Sequence, residues 1–359
     1  MNKIACALGL AGAMTSPVAA WAQSSVTVFG IVDAAVRYVK NDGVGSVTSL
    51  ASGGNSTSRV AFRGVEDLGS GLSARFLLEH GLLTDTGQQA LASAFWDRGA
   101  WVSLSSNALG EVRLGRDYVP TYTNWVRFDP FSNVGVAGVG NMLAASQTGP
   151  IRGAFAANPN TLVRSNNSVQ YLLPTGLGGV EGGLMVAAGE GGTAAAGQDK
   201  LWGVRLGYAT GPVVVSAAYD ETRNDITGEQ DFKDGVVAAS YDFGVLKLSG
   251  AWRRLEYVNS KQTNLLAAAV VPIGQGQIKM SYQKADLDGR VGAVDVSNND
   301  AYQIGLGYVH NLSKRSALYA TYSRIDNSGN ATFVVPGGAA GLVGGGASSG
   351  VEAGLRHSF

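Results

Sequence analysis

Apolar and polar residues alternate one by one along most of the chain beyond residue 24. In Leu201–Thr210, Trp202, Val204, Leu206 and Tyr208 fall on one face, with Gly203, Arg205, Gly207 and Ala209 on the other. In Gln277–Lys284, Ile278, Met280 and Tyr282 oppose Gln277, Lys279, Ser281 and Gln283; in Tyr302–His310, Tyr302, Ile304, Leu306 and Tyr308 oppose Gln303, Gly305 and Gly307. Leu246, Leu248 and Trp252 likewise oppose Lys247, Ser249 and Arg253. A period of two is what a strand with two unlike faces requires. The last segment alternates from Val351 to Phe359 against Glu352, Gly354, Arg356 and Ser358, and a strand there can pair with the first and remove both sheet edges.

Counted this way the chain predicts about sixteen strands. Short turns such as Thr210-Gly211-Pro212, Asp242-Phe243-Gly244 and Asn311–Arg315 alternate with longer loops at Glu221–Asp231, Leu287–Asn299 and Asn327–Ser348. Short turns at one end and long loops at the other are the arrangement of an antiparallel transmembrane β-barrel, all-β in class, and a barrel of this size encloses water. Tyr208, Tyr241, Tyr282, Tyr308 and Trp252 suit the aromatic girdles of such a barrel. Two segments resist a face assignment. Leu318 and Tyr322 share a face with Arg324, and 264–272 is apolar on both sides.

One stretch breaks the alternation. From Tyr118 to about Val163 neither period two nor period 3.6 persists, and Pro120, Pro130, Pro150 and Pro159 punctuate the segment. Irregular segments this long are uncommon in a compact domain unless they have a function, and strands on both sides exclude a domain linker.

Composition sharpens the setting. The N-terminus has a positive start at Lys3, an apolar run from Ile4 to Met14, and Ala20-Trp21-Ala22, which predicts a signal peptide at 1–22 and a barrel domain at 23–359. The single cysteine, Cys6, lies in that leader, so the mature chain has no disulfide or cysteine metal site. Glycine is 51 of 359 residues, about double the usual ~7%. The formal charge is zero, giving no bias toward nucleic acid. His80, His310 and His357 have no metal-ligand spacing, and the chain carries neither a G-x-S-x-G elbow nor a phosphate-binding glycine loop, so no enzyme activity and no cofactor is expected.

Five segments resemble the general porins of the β-proteobacterial type: SSVTVFGIVDAAVRYV at 24–39, SRVAFRGVEDLGSGLSARFLLEHG at 58–81, WDRGAWVSLSSNALGEVRLGRDYVPTY at 96–122, RSNNSVQY at 164–171, and the terminal GLRHSF. The resemblance spans essentially the whole mature chain. It implies a sixteen-stranded barrel in the outer membrane of a Gram-negative bacterium, a homotrimer, with the 118–163 loop folded into each lumen to narrow it. It implies a basic cluster of Arg59, Arg98 and Arg164, an acid at Glu79 across the pore, and Asp129 as the loop's acidic contributor. Arg75, Arg116 and Asp117 are further candidates for the constriction. Outer-membrane lipid and lipopolysaccharide are expected partners, as is the barrel-assembly machinery, with Phe359 as the assembly signal. Such porins often carry an acid soon after Y-x-P-x-Y, where this chain has Thr123-Asn124, which weakens the acidic side.

The reading is therefore a channel for passive diffusion of small hydrophilic solutes and ions, with weak anion preference. A substrate-specific channel is the alternative, and an outer-loop adhesin or barrel enzyme stands behind it.

Overall fold

In lipid every backbone N–H and C=O must find a partner within the protein, so a sheet there has to close on itself. The computed structural model describes residues 24–143, 147–156, 160–189, 199–223 and 231–359, and it does close. The expected leader at 1–22 lies outside the described residues, as does most of the loop expected at Glu221–Asp231. The strands begin with β1 (Ser25–Asn41), β2 (Gly45–Ser52), β3 (Arg59–Gly69), β4 (Leu72–Gly81), β5 (Gly99–Ser106) and β6 (Gly110–Tyr118). After the irregular stretch come β7 (Arg164–Leu172), β8 (Val180–Ala187), β9 (Lys200–Thr210), β10 (Val213–Arg223), β11 (Phe232–Asp242) and β12 (Lys247–Tyr257). The circuit ends with β13 (Ser260–Ile273), β14 (Gly276–Val291), β15 (Val294–Asp295), β16 (Ala301–Asn311), β17 (Ser316–Asn327) and β18 (Ser348–Ser358).

These make sixteen staves. β2 and β3 share one edge of β1, pairing with its outer and inner halves, and β15 pairs only with the tip of β14. All neighbours are antiparallel. β18 closes on the other edge of β1, from Ile31↔Ser358 to Asn41↔Ser348. Phe359 extends the seam by exchanging two backbone hydrogen bonds of 3.1 Å with Gly30. Its ring covers Gly30, where a Cβ would come within 2.5 Å of it. The hairpin strand β2 is an addition to the sequence reading, because GSVTSLAS has no apolar face to announce it.

The alternating apolar faces point outward. Trp202, Trp252, Tyr282, Tyr302 and Tyr322 are exposed toward the long-loop end, and Tyr208, Tyr241 and Tyr308 toward the short turns. Trp202 and Tyr208 stand six residues apart on β9, roughly 20 Å. That separation approaches the apolar band of about 25 Å between aromatic girdles.

The lumen wall of β9–β14 and β16–β18 is covered by the irregular stretch. It contains helix α1 (Pro120–Val126), a 3₁₀ turn (Val139–Met142) and helix α2 (Pro150–Phe155). Trp125, Phe128 and Val139 pack on Val236, Ala238, Ala251, Leu266 and Ala268. Ile151, Phe155 and Leu162 pack on Phe232, Leu255 and Tyr257. Each large apolar side chain buried this way stabilises the docked loop by about 1.5–3 kcal/mol.

This packing explains why β13 shows no polar face beyond Asn264: Leu266 and Ala268 look inward, under Trp125 and Phe128, while Leu265 faces out. Arg324 also finds its place. It lies on the outer face at the rim of β17, bound to Asp326 at 2.6 Å.

A second segment, between β17 and β18, folds over the mouth. Phe333 and Val335 are buried with Val136, Met142 and Val39, and Thr332 donates to Gln147 from its backbone and hydroxyl at 2.8 and 3.0 Å.

Candidate functional site

The 118–163 loop leaves the opposite wall, β3–β7, open to water, and the expected arginines converge there. Arg59 opens β3, Arg98 directly precedes β5, and Arg164 opens β7. The hydroxyl of Tyr118, at the end of β6, accepts from Arg98 Nη2 at 3.1 Å and Arg164 Nη2 at 2.7 Å. Arg164 also donates Nε to the Arg98 carbonyl at 2.7 Å, and its guanidinium lies 4.3 Å from the Tyr118 ring centroid. Tyr122 stacks on Tyr118 at 5.0 Å, so the loop begins as an aromatic shelf beside the arginines. Arg59 is steadied by the Thr57 carbonyl at 3.0 Å.

Glu79 stands elsewhere than the resemblance implied. It sits inside the basic cluster, accepting from Arg98 Nε at 2.6 Å with Arg59 Nε at 3.4 Å, and does not face it across the pore. The reason is register: Glu79 on β4 is paired with Gly99, one residue after Arg98, and its neighbour on the other side is Ala61, two residues from Arg59.

Asp129 is also corrected. It is buried in the loop, where its carboxylate accepts from the backbone N–H groups of Phe131 (2.9 Å), Asn133 (2.7 Å) and Val139 (3.2 Å). Burial pushes this carboxyl above the usual carboxylate range, against those three donors, which favour the charged form. Asp129 folds the loop and does not face the water.

The remaining candidates separate. Arg75 lies four residues from Glu79 on β4, roughly 13 Å toward the short turns, with Glu111 at 3.8 Å. Asp117 binds Arg113 Nη1 at 2.9 Å within that lower group. Arg116 is itself the bulged residue between Gly115 and Asp117 and turns to the face opposite Asp117, donating to the Asp97 carbonyl at 2.8 Å and to Asn166 at 2.5 Å. It belongs to the outside of the waist.

Between the upper cluster and the loop lies an open space of about 390 Å³. Arg59, Arg98 and Tyr118 line one side, and Tyr122, Thr123, Val126, Ser132 and Val134 of the loop line the other. None of these lining residues carries a carboxylate. The upper cluster itself holds three arginines against one glutamate, a formal +2.

The comparisons with known proteins agree with the fold. The family model of Gram-negative porins matches residues 7–330. The chain belongs to the Gram-negative porins. It is 37% identical over 355 residues to outer membrane porin protein 32 of Delftia acidovorans, covering 95% of this chain and 96% of the relative. It is 28% identical to an outer membrane porin protein of Bordetella pertussis, over 86% and 91% of the two chains. Among solved structures, an anion-selective porin from Comamonas acidovorans superposes with a TM-score of 0.80 at 36% identity, covering 94% of this chain and all of that one. The protein is an outer-membrane β-barrel channel.

Sequence reasoning missed several residues of this porin. Arg113 lies 4.3 Å over the Trp101 ring and holds both Glu111 (2.8 Å) and Asp117. Glu181 is shared by Arg205, at 2.7 Å, and Arg127 of the loop. More telling is how the loop is held. Gln262, Gln283 and Gln303 donate to the carbonyls of Met142 (2.6 Å), Val139 (3.2 Å) and Ala137 (3.0 Å), one glutamine from each of β13, β14 and β16. Thr121 of α1 is bound by Asp220 and Asp234, and Asp234 is clamped by the buried Arg253 at 2.6 and 2.9 Å. Gly305 and Gly307 leave room for Phe131, which a Cβ at Gly307 would meet at 2.9 Å. Polar residues on a lumen face alone could not reveal this, since water would serve them equally well.

Glu79→Gln tests the cluster from inside. Removing the carboxylate raises the formal charge from +2 to +3 and is expected to increase anion over cation permeability about two- to fivefold. Reversal potential under a salt gradient is the check, and an unchanged value would place Glu79 outside the ion path.

Proposed function

We propose that this porin is an anion-preferring diffusion channel for small hydrophilic solutes and ions, with its selectivity set at the waist of Arg59, Arg98 and Arg164. The observation that carries the reading is the acid-free loop face opposite that cluster. Arginine stays protonated at any physiological pH, so the waist is a permanent positive field. A wet pore screens that field within about 8–10 Å at physiological salt, so the preference is a matter of several-fold and not of tight binding. The named anion-selective relative supports the same sign.

The same reading includes export by a leader cleaved after Ala22, assembly as a homotrimer, and recognition of the strand ending in Phe359 by the barrel-assembly machinery. The test is a planar bilayer under a salt gradient with the refolded mature chain. Conductance rising in groups of three with an anion-directed reversal potential is expected, and a cation-directed potential would overturn the charge assignment.

A substrate-specific channel draws support from one further feature. Arg63, Arg75 and Arg113 continue the basic wall toward the short turns on β3, β4 and β6. Saturable block of the current by one class of organic anion would favour it.

A further inference from the structure

One stave of the barrel is two strands with an interruption between them. β1 pairs with β2 as far as Ala34↔Ser52 and with β3 from Ile31↔Arg59. Between those rungs β1 has two residues, Val32 and Asp33, and the facing chain has six, Gly53 to Ser58, so four are surplus to the ladder. A bulge absorbs one extra residue, and four in mid-stave must leave the sheet. Lipid offers their backbone no partner, so they leave inward.

The contacts of this excursion place it in the lumen. Asp33 is fully buried, and its Oδ1 accepts from Gly54 N–H at 3.2 Å, its Oδ2 from Asn55 N–H at 3.1 Å and Ser56 N–H at 2.8 Å. The Tyr319 hydroxyl, from β17, donates to Oδ1 at 2.5 Å. Four donors fill the acceptor positions of one carboxylate. The Asp33 backbone has no partner strand on this edge. Its N–H donates to the Ser58 hydroxyl at 3.0 Å, and its carbonyl accepts from that hydroxyl at 3.0 Å, from Gly53 N–H at 3.0 Å and from the Thr84 hydroxyl at 2.9 Å. Asn55 reaches farther and accepts from Lys279 of β14 at 3.3 Å. Gly54 has no room for a side chain, since a Cβ there would stand 2.5 Å from the Tyr319 hydroxyl. Its carbonyl touches the tip of the 118–163 loop, where a Cβ on Gly135 would collide with it.

Two insertions thus meet inside the barrel, one following β6 and the other following β2. Ser56 and Thr57 line the waist beside Arg59. Arg59 Nη1 donates to the Thr57 carbonyl at 3.0 Å and to Ser56 Oγ at 3.5 Å, so the excursion also carries the arginine's anchor. We propose that residues 53–58 are a second constriction element of this porin, and that Asp33 is the positioning residue that sets the bore of the waist and the place of Arg59 in it. Asp33 is sealed from solutes and acts through the backbone of 54–56. The bore is a property separate from the ion preference proposed above, because neutral solutes read it.

The sign of the effect separates position from charge. Acting by charge alone, Asp33→Asn would remove an acid near Arg59 and raise the preference for anions. Acting by position it does the reverse. Asparagine has one acceptor oxygen where aspartate has two, so two of the four donors lose their partner. The excursion loosens, the bore widens, Arg59 leaves its place, and the added water screens the charges that remain.

The test compares wild type, Asp33→Asn, and Asp33→Asn with residues 54–57 deleted, each as the refolded mature chain. The deletion leaves Gly53 and Ser58 opposite Asp33→Asn and Val32, so the ladder can run unbroken. Entry of neutral sugars of rising size into proteoliposomes reads the bore, the reversal potential under a salt gradient reads the preference, and heat resistance on electrophoresis reports an intact barrel. Both variants are expected to admit larger sugars than wild type and to lower the anion-to-cation permeability ratio about twofold or more. Arg59→Gln is expected to lower that ratio less in the Asp33→Asn background than in wild type, because the arginine has already been displaced. An unchanged sugar size limit in both variants, with the barrel intact, would overturn the proposal. So would a raised anion preference in Asp33→Asn, or full additivity of Asp33→Asn with Arg59→Gln. A wild type that prefers cations would instead overturn the charge reading, and the sugar size limit would still decide the role of the excursion.

Discussion

Replacing Arg59, Arg98 and Arg164 together by glutamine is expected to abolish the proposed anion preference and leave a pore that passes cations at least as readily. The cluster changes from a formal +2, three arginines less Glu79, to −1. A unit charge 4 Å from a passing ion acts on it with about 1 kcal/mol in water and about 4 kcal/mol at an effective dielectric of 20. A swing of three charges in a wet but confined waist therefore predicts a shift in the anion-to-cation permeability ratio of roughly tenfold or more. Glutamine keeps much of the side-chain volume and can still donate to Tyr118, so the lumen should stay open. The reversal potential gives the result directly. A ratio unchanged within error, at unaltered conductance, would mean that selectivity is set elsewhere, and the lower group around Arg113 would be examined next.

Removing the glutamine row, Gln262→Ala with Gln283→Ala and Gln303→Ala, is expected to unseat the 118–163 loop without unfolding the barrel. Each substitution strips a donor from a loop carbonyl, and a buried acceptor left unsatisfied costs about 1–3 kcal/mol. The sum, several kcal/mol before any coupling, rivals the packing of Trp125 and Phe128 on the wall. The barrel's own ladder from β13 to β16 is untouched, because it consists of backbone pairs. Single-channel records should show frequent flicker and a changed conductance, with larger neutral sugars entering proteoliposomes. Heat resistance of the barrel on electrophoresis should remain. Quiet channels of normal size would show that the apolar contacts and the Asp220–Thr121 anchor suffice.

How much was legible beforehand divides along a physical line. Tyr302–His310 could be read as a strand from its own residues, because a strand's two faces are a local property of period two, and β16 lies where that pattern placed it. The closing strand was readable for the same reason, since Val351 to Phe359 needed only its own alternation. β13 was unreadable because its inward face is covered by protein, and Leu266 has no cause to be polar once Trp125 lies on it. Arg324 looked misplaced until its height at the rim was known.

Sequence alone determined the barrel, its roughly sixteen staves and the irregular stretch, because alternation and turn length are written residue by residue; Arg59, Arg98 and Arg164 were singled out only by the family resemblance. Only the tertiary structure decided what those charges face. Gln303 and Ala137 are 166 positions apart, and Arg164 and Tyr118 46. Such meetings depend on how the loop threads the lumen, and no local period encodes that. For that reason Glu79 joined the arginines it was expected to oppose, and Asp129 turned inward to hold the loop's own backbone.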